Sequence, residues 1–183
     1  GDCVMIAGDF RPPPAEADAA NGTGAVALQA RPPTAGAIDR AAHDMLCAVA
    51  FMLHPPASAP WDPLSLKAGF NTGDVLGTVQ GTSRLAFDVF GDCVNVASRT
   101  CSTLTTGRYV GVTDAFYAAF KNGHQGALAQ RDGVTFAAAP EFTDVIGREA
   151  KGKGVIEVRE VTGGLDIDPS SLKVAPKLGD SYH

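Results

Sequence analysis

Cysteine is scarce in this sequence. The four that occur, Cys3, Cys47, Cys93 and Cys101, form no Cys-x-x-Cys pair and no Cys/His metal spacing. A disulfide scaffold and a zinc ribbon are both excluded, and the thiols read as reduced cysteines of a cytoplasmic domain. Histidine is as sparse: His43, His54, His124 and His183 make no ligand pattern, which removes zinc hydrolysis. Positive charge is in deficit. The formal net charge is −5, so no nucleic acid is expected as a partner. No apolar run is long enough to cross a bilayer and no signal peptide is visible. The chain lacks an initiating Met and opens abruptly at Gly1-Asp2, so a longer parent is expected, with membrane attachment of that parent left open. No Ser/His/Asp order suggests a nucleophile, no internal repeat is present, and no Walker A spacing occurs.

What is present fits one domain. At 183 residues the chain is long enough to bury most of its apolar surface. "CVMIA", residues 3–7, reads as a buried strand ending at Gly8. Residues 11–37 are rich in Ala, Pro and Gly and read as a flexible insertion. The sequon Asn21-Gly-Thr23 inside it is a chance match in a cytoplasmic protein. Ile38, Ala42, Met45, Leu46, Val49 and Leu53 recur at helical spacing, and Pro55-Pro56 end that helix. "LSLKAGF" (64–70), "VLGTVQG" and "LAFDVF" read as strands joined by turns at Asn71-Thr-Gly73 and Gly81-Thr-Ser83. Asp92 is a candidate N-cap for a helix from about Cys93 to Cys101. "RYVGV" is a strand, and Thr113-Asp114 cap a short helix through Phe120. "VTFAAAPEF" and "VIEVREV" read as closing strands separated by the "AKGKG" turn, and 163–183 as a linker or tail. The pattern favours an α+β sheet covered by helices.

Polar residues concentrate in "FDVFGDCVNVASRT", residues 87–100. Asn95 and Arg99, four residues apart, share one helix face. That face is either solvated or a place where the Arg99 fork binds phosphate. Asp88 alternates with Phe87 and Val89 in a strand. It is either an exposed carboxylate or one that accepts hydrogen bonds from an amino group in a pocket. Lys151 and Lys153 lie among glycines in a basic turn. Asp2 is an ordinary turn carboxylate or one hard-oxygen ligand for magnesium, which normally needs further carboxylate and phosphate oxygens.

Taken in order, "GDCVMIAG", "LSLKAGFNTGDVLGTVQG", "FDVFGDCVNVASR", "GRYVGVTDAFYAAF" and "KGKG" with a final strand resemble the catalytic domain of class III nucleotidyl cyclases. This is the domain shared by adenylate and guanylate cyclases. The resemblance covers most of 1–10 and 38–161, and makes 1–162 a partial cyclase domain. It implies a ferredoxin-like βαββαβ-type α+β fold with an antiparallel-rich sheet. The first strand and its helices, together with the first metal aspartate, would lie upstream of Gly1.

By the same resemblance, Asp2 matches the second metal-binding aspartate. Asp88 matches the base-recognising position, where adenylate cyclases tend to have Asp and membrane guanylate cyclases Cys. Asn95 matches the ribose-orienting residue, and Arg99 the arginine that stabilises charge on the α-phosphate. Lys151 matches the lysine that holds the terminal phosphates, with Lys153 a weaker candidate. Lys67 stands where many members have Arg and is in reach of phosphates; Asn71 stands where His is common. The implied reaction is attack of the ribose 3′ hydroxyl of ATP on the α-phosphate, releasing pyrophosphate and cyclic AMP, with two magnesium or manganese ions. The implied site lies between two cyclase domains, as a homodimer or as a pseudo-heterodimer within a longer chain. GTP as substrate, and a non-catalytic half supporting a partner, are the alternatives. The 183 residues alone are expected to be inactive and poorly stable.

Overall fold

The computed structural model describes residues 36–55, 57, 62–80, 86–105, 109–130 and 133–172. The strand expected at 3–7, Asp2 and nearly all of the 11–37 insertion lie outside the described residues.

Helix α1, Ala37–Leu53, follows the expected periodicity: Ala42, Leu46, Val49, Ala50 and Leu53 are buried. It stops at His54, one residue before the prolines, with the His54 amide bonded back to Ala50. Strand β1 is Ala68–Phe70, β2 Leu76–Gln80 and β3 Ala86–Phe90; then come α2, Asp92–Ser102, β4, Val110–Thr113, and α3, Asp114–Gln130. The chain closes with β5, Glu141–Phe142, β6, Ile146–Ala150, β7, Gly154–Gly163, and a short 3₁₀ turn at Pro169–Ser171.

The main sheet runs β1-β4-β7, with β5 and β6 sharing the far edge of β7. Only β1 and β4 are parallel; the other pairings are antiparallel, so the antiparallel-rich α+β expectation holds. The two faces of the sheet differ. Phe70, Val110 and Val112 enter a core with α1 and α3, where Phe70 stacks on Phe116 at 4.7 Å. Their neighbours Gly69 and Gly111 are register partners and point the other way, onto α2. A separate antiparallel ribbon, β2–β3, pairs Leu76 with Phe90, Thr78 with Asp88 and Val79 with Phe87.

Several elements differ from the sequence reading. The strand expected over 64–70 pairs only at Ala68–Phe70, and Leu64 is exposed. Helix α3 continues ten residues beyond Phe120. Gly123 is where α1 and α3 touch: a Cβ there would lie 1.9 Å from the Asp39 carbonyl oxygen. Strand β6 was not expected; the ten-residue β7 pairs it residue for residue from Ile146 to Ala150. "VTFAAAPEF" is not one strand. It makes a single bridge from Phe136 to Ile167 and the short β5. Residues just past Gly163, read as tail, fold back as far as Leu172: Ile167 is buried and Leu165 and Leu172 pack on the core.

Candidate active site

Helix α2 carries two of the candidate residues, Asn95 and Arg99, and its seat on the sheet positions them. With no side chain at Gly69, the α2 backbone lies directly on β1: an added Cβ would stand 2.3 Å from the Ala97 carbonyl oxygen and the Cys101 amide nitrogen. Gly111 opens the adjoining space for Leu104 and Thr100. The chain enters α2 through Gly91, whose φ of 146° disfavours a side chain and whose Cβ would press on the Asp74 carbonyl oxygen at 3.0 Å. Gly91 is thus the N-cap residue, and no side chain caps the helix. Asp92, expected as the cap, is instead the first helical residue, where a carboxylate still complements the helix dipole.

Asp92, Asn95 and Arg99 follow at spacings of three and four, so they form one stripe along α2. The Asn95 side chain is exposed and Arg99 is half-buried. Neither side chain makes a hydrogen bond or ion pair among the described residues. Arg99 also lies in the last turn, where a cation suits the dipole on structural grounds alone.

The "AKGKG" turn joins β6 to β7, with Gly152 and Gly154 both at positive φ. It reaches the start of the stripe: Lys153 forms an ion pair with Asp92. Lys151 is exposed on the same turn. The structure therefore brings the basic turn to the helix that bears Asn95 and Arg99.

Asp88 lies on β3, immediately before the turn into α2, with its side chain exposed. One carboxylate oxygen accepts the Val89 amide at 2.8 Å, which fixes the group's orientation; the other has no partner among the described residues. Lys67 is placed elsewhere. Its ammonium donates to the Leu104 carbonyl at 3.3 Å, beyond the C-terminal end of α2. The eleven residues of α2 span about 16 Å, so Lys67 is not brought together with the Lys151 turn.

Asn71, which stands where His is common in the family, has a structural task. In the structure its amide donates to the Cys93 carbonyl at 3.2 Å and to Cys93 Sγ at 3.4 Å, while its oxygen accepts the Thr113 hydroxyl at 2.7 Å. One side chain thus ties the ends of β1 and β4 to the first turn of α2. Burial pushes the Cys93 thiol above its ordinary pKa, against the Asn71 hydrogen bond and together with Asp74. Thr113 also accepts the Phe116 amide at 3.4 Å, capping α3 as expected. On the same face of the sheet as α2, Glu160 is buried and accepts from Arg148 at 2.6 Å and from Thr105 at 3.4 Å. This holds the strand after the basic turn to the loop after α2. Glycine inside "KAGF" was the available signal for the α2 seat, since glycine in a strand often marks close backbone approach.

Among the described residues, no group of three or more His, Cys, Asp or Glu side chains could hold a metal ion. Asp2, the one metal ligand assigned by resemblance, lies outside them. The described part of the chain therefore provides no fitted metal site. No helix among the described residues is long and apolar enough to cross a membrane.

The adenylate and guanylate cyclase catalytic domain profile matches residues 1–149, ending just before Lys151. Adenylate cyclases of Mycobacterium tuberculosis and Mycobacterium bovis are each 37% identical over 115 residues. That stretch is 62% of this chain but only 22% of those relatives, so the chain spans about a fifth of their length. Among solved structures, the guanylate cyclase domain of RhGC from Catenaria anguillulae, in complex with GTP, aligns with TM-score 0.46 and 26% identity. That alignment covers 75% of this chain and 64% of the other. The catalytic core of a rhodopsin-guanylyl cyclase with converted specificity, in complex with ATPalphaS, gives 0.45 and 26%, over 75% and 63%. On the profile match over residues 1–149, the chain belongs to the adenylate and guanylate cyclase catalytic domain family.

Proposed function

We propose that the protein carrying this chain is an adenylate cyclase, converting ATP to cyclic AMP and pyrophosphate. One observation carries the reading. A single strand–turn–helix unit presents Asp88, Asn95 and Arg99, and an ion pair at Asp92 ties that unit to the turn bearing Lys151. The adenylate cyclase relatives support ATP. So does Asp88: a carboxylate accepts from the amino group of adenine, and guanine lacks an amino group at that ring position.

In this reading the unpaired oxygen of Asp88 holds the adenine amino group. The Asn95 amide orients the ribose so that its 3′ hydroxyl lies in line with the α-phosphate. Arg99 stabilises the charge that develops there as the bond to pyrophosphate breaks. Lys151 holds the terminal phosphates; Lys67, bound to the Leu104 carbonyl at the far end of α2, is given no part beside it. Two magnesium or manganese ions enter the proposal through Asp2 alone, and no step is assigned to them. A second cyclase domain completes the site, as a homodimer or as a pseudo-heterodimer within a longer chain. The β2–β3 ribbon favours such a partner, because Leu76, Val79, Phe87 and Phe90 are all exposed on it.

The test is product analysis of the full-length protein given ATP or GTP with manganese. Cyclic AMP is expected, and Asn95→Ala and Arg99→Ala should each lower kcat by on the order of 10²-fold with unchanged circular dichroism. Cyclic GMP as the main product overturns the base assignment. Full turnover in both variants overturns the assigned roles. A folded protein that makes neither product leaves the non-catalytic half as the reading.

A further inference from the structure

Lys153 matched the phosphate-holding position only weakly, and its observed partner points to a different task. It pairs with Asp92, at the head of the stripe that continues through Asn95 and Arg99. The turn that carries it has few other constraints. Lys151, Gly152, Lys153 and Gly154 are all exposed, both glycines sit at positive φ, and a Cβ at either would meet nothing within 4 Å. Among the described residues, apart from the Lys153 amide, which closes the turn on Ala150 at 2.9 Å, the Asp92 ion pair is what ties this turn to another element.

We infer that Lys153 is a positioning residue: its ion pair with Asp92 latches the β6–β7 turn to the first turn of α2 and sets where Lys151 stands relative to Arg99. The inference rests on the cyclase reading of the site. The latch does a second thing. It neutralises the Asp92 carboxylate, which otherwise repels an incoming triphosphate at the helix end where an anion is best received. The side chains of Lys153 and Asp92 are 30% and 71% exposed, respectively. A pair this open contributes little to folding and is weakened by salt. Its loss is therefore felt by substrate and not by stability, which a merely structural contact would not do.

The experiment is steady-state kinetics of the full-length protein with whichever of ATP or GTP the wild type converts. Lys153→Ala should raise KM about three- to fivefold, the equivalent of one exposed to partly buried ion pair. It should change kcat less than about twofold and leave Tm unchanged. Lys153→Arg should keep the wild-type KM. The double variant Lys153→Ala with Asp92→Asn should be no worse than Lys153→Ala alone, because the two residues act as one unit. In the wild type, raising salt should raise KM; in Lys153→Ala that added dependence should shrink. An unchanged KM in Lys153→Ala, additive effects in the double variant, or a fall in Tm that accounts for the loss each overturn the latch while leaving the cyclase reading intact. A wild type that makes no cyclic nucleotide overturns both, and Asn95→Ala and Arg99→Ala distinguish the cases by testing the site without the latch.

Discussion

Gly69→Ala tests the architecture of the site through one methyl group. The added Cβ would stand 2.3 Å from the Ala97 carbonyl oxygen, 2.3 Å from the Cys101 amide nitrogen and 2.8 Å from Cys101 Cα. All three are backbone atoms of α2, so no side-chain rotation relieves the overlap. Ordinary van der Waals contact begins at 3.4 Å. The helix must therefore retreat by roughly 1 Å from a sheet packed too densely to absorb the change. Overpacking costs about 1–3 kcal/mol, and an obstruction by backbone belongs at the upper end. For a chain of this size that lowers Tm by about 6–12 °C. The same retreat displaces Asn95 and Arg99, and on the cyclase reading proposed above a misplacement of about 1 Å in positioning groups lowers kcat on the order of 10²-fold. Urea unfolding measures the first effect and cyclic nucleotide formation at saturating substrate the second. Gly126→Ala is the control: its Cβ meets nothing within 4 Å inside α3, so it should add about 0.5–1 kcal/mol. If Gly69→Ala melts within about 2 °C of wild type and keeps kcat within about a factor of two, α2 does not rest on β1 as described.

Arg148→Ala strips the buried Glu160 carboxylate of its 2.6 Å partner. It should cost about 3 kcal/mol in urea unfolding, and a loss under about 1 kcal/mol would mean that the remaining partners of the carboxylate, Thr105 among them, satisfy it. The aromatic cluster under α1 predicts a pH dependence. His124 stacks on Phe120 at 5.5 Å and on the buried His43 at 5.6 Å, with Asp44 and Cys47 of α1 in contact with His43. Burial, then His43, holds the His124 pKa below its ordinary 6.5. Unfolded His124 thus takes up a proton before the folded form does. Its contribution to stability is whole above about pH 6.5 and is lost as pH falls below it. Thermal melts between about pH 7.5 and pH 5 should show this slope in wild type and a shallower one in His124→Phe; parallel curves refute the assignment. Cys47, pushed up to about 12 chiefly by burial and then by Asp44, should resist thiol reagents in the native state while Cys101 reacts; equal labelling would contradict the packing of α1.

The local elements that carry the candidate site were legible because their signals are local. Helical spacing placed α1, Asn-x-x-x-Arg placed two polar groups on one face of α2, and period-two alternation put Asp88 opposite Val89. The family resemblance, too, rests on short contiguous motifs, and the profile match confirmed the family. Two glycines took their meaning from what packs on them. Gly123, beyond the expected helix end at Phe120, is the contact that lets α1 cross α3; Gly69, inside an expected strand, seats α2. A glycine's local preference is the same in both places, and only the neighbour packed against it decides its meaning.

The sequence by itself determined that α2 would carry Asn95 and Arg99 on one face, which follows from the spacing of residues along a regular backbone, and its short motifs carried the family resemblance. Only the tertiary structure decided that β6 exists, that residues 164–172 pack against the core, that Lys67 faces the far end of α2, and that Lys153 meets Asp92. Each of these depends on a partner distant in the chain. A lysine among glycines has no preferred neighbour until the β6–β7 pairing delivers its turn to the head of a helix some sixty residues earlier.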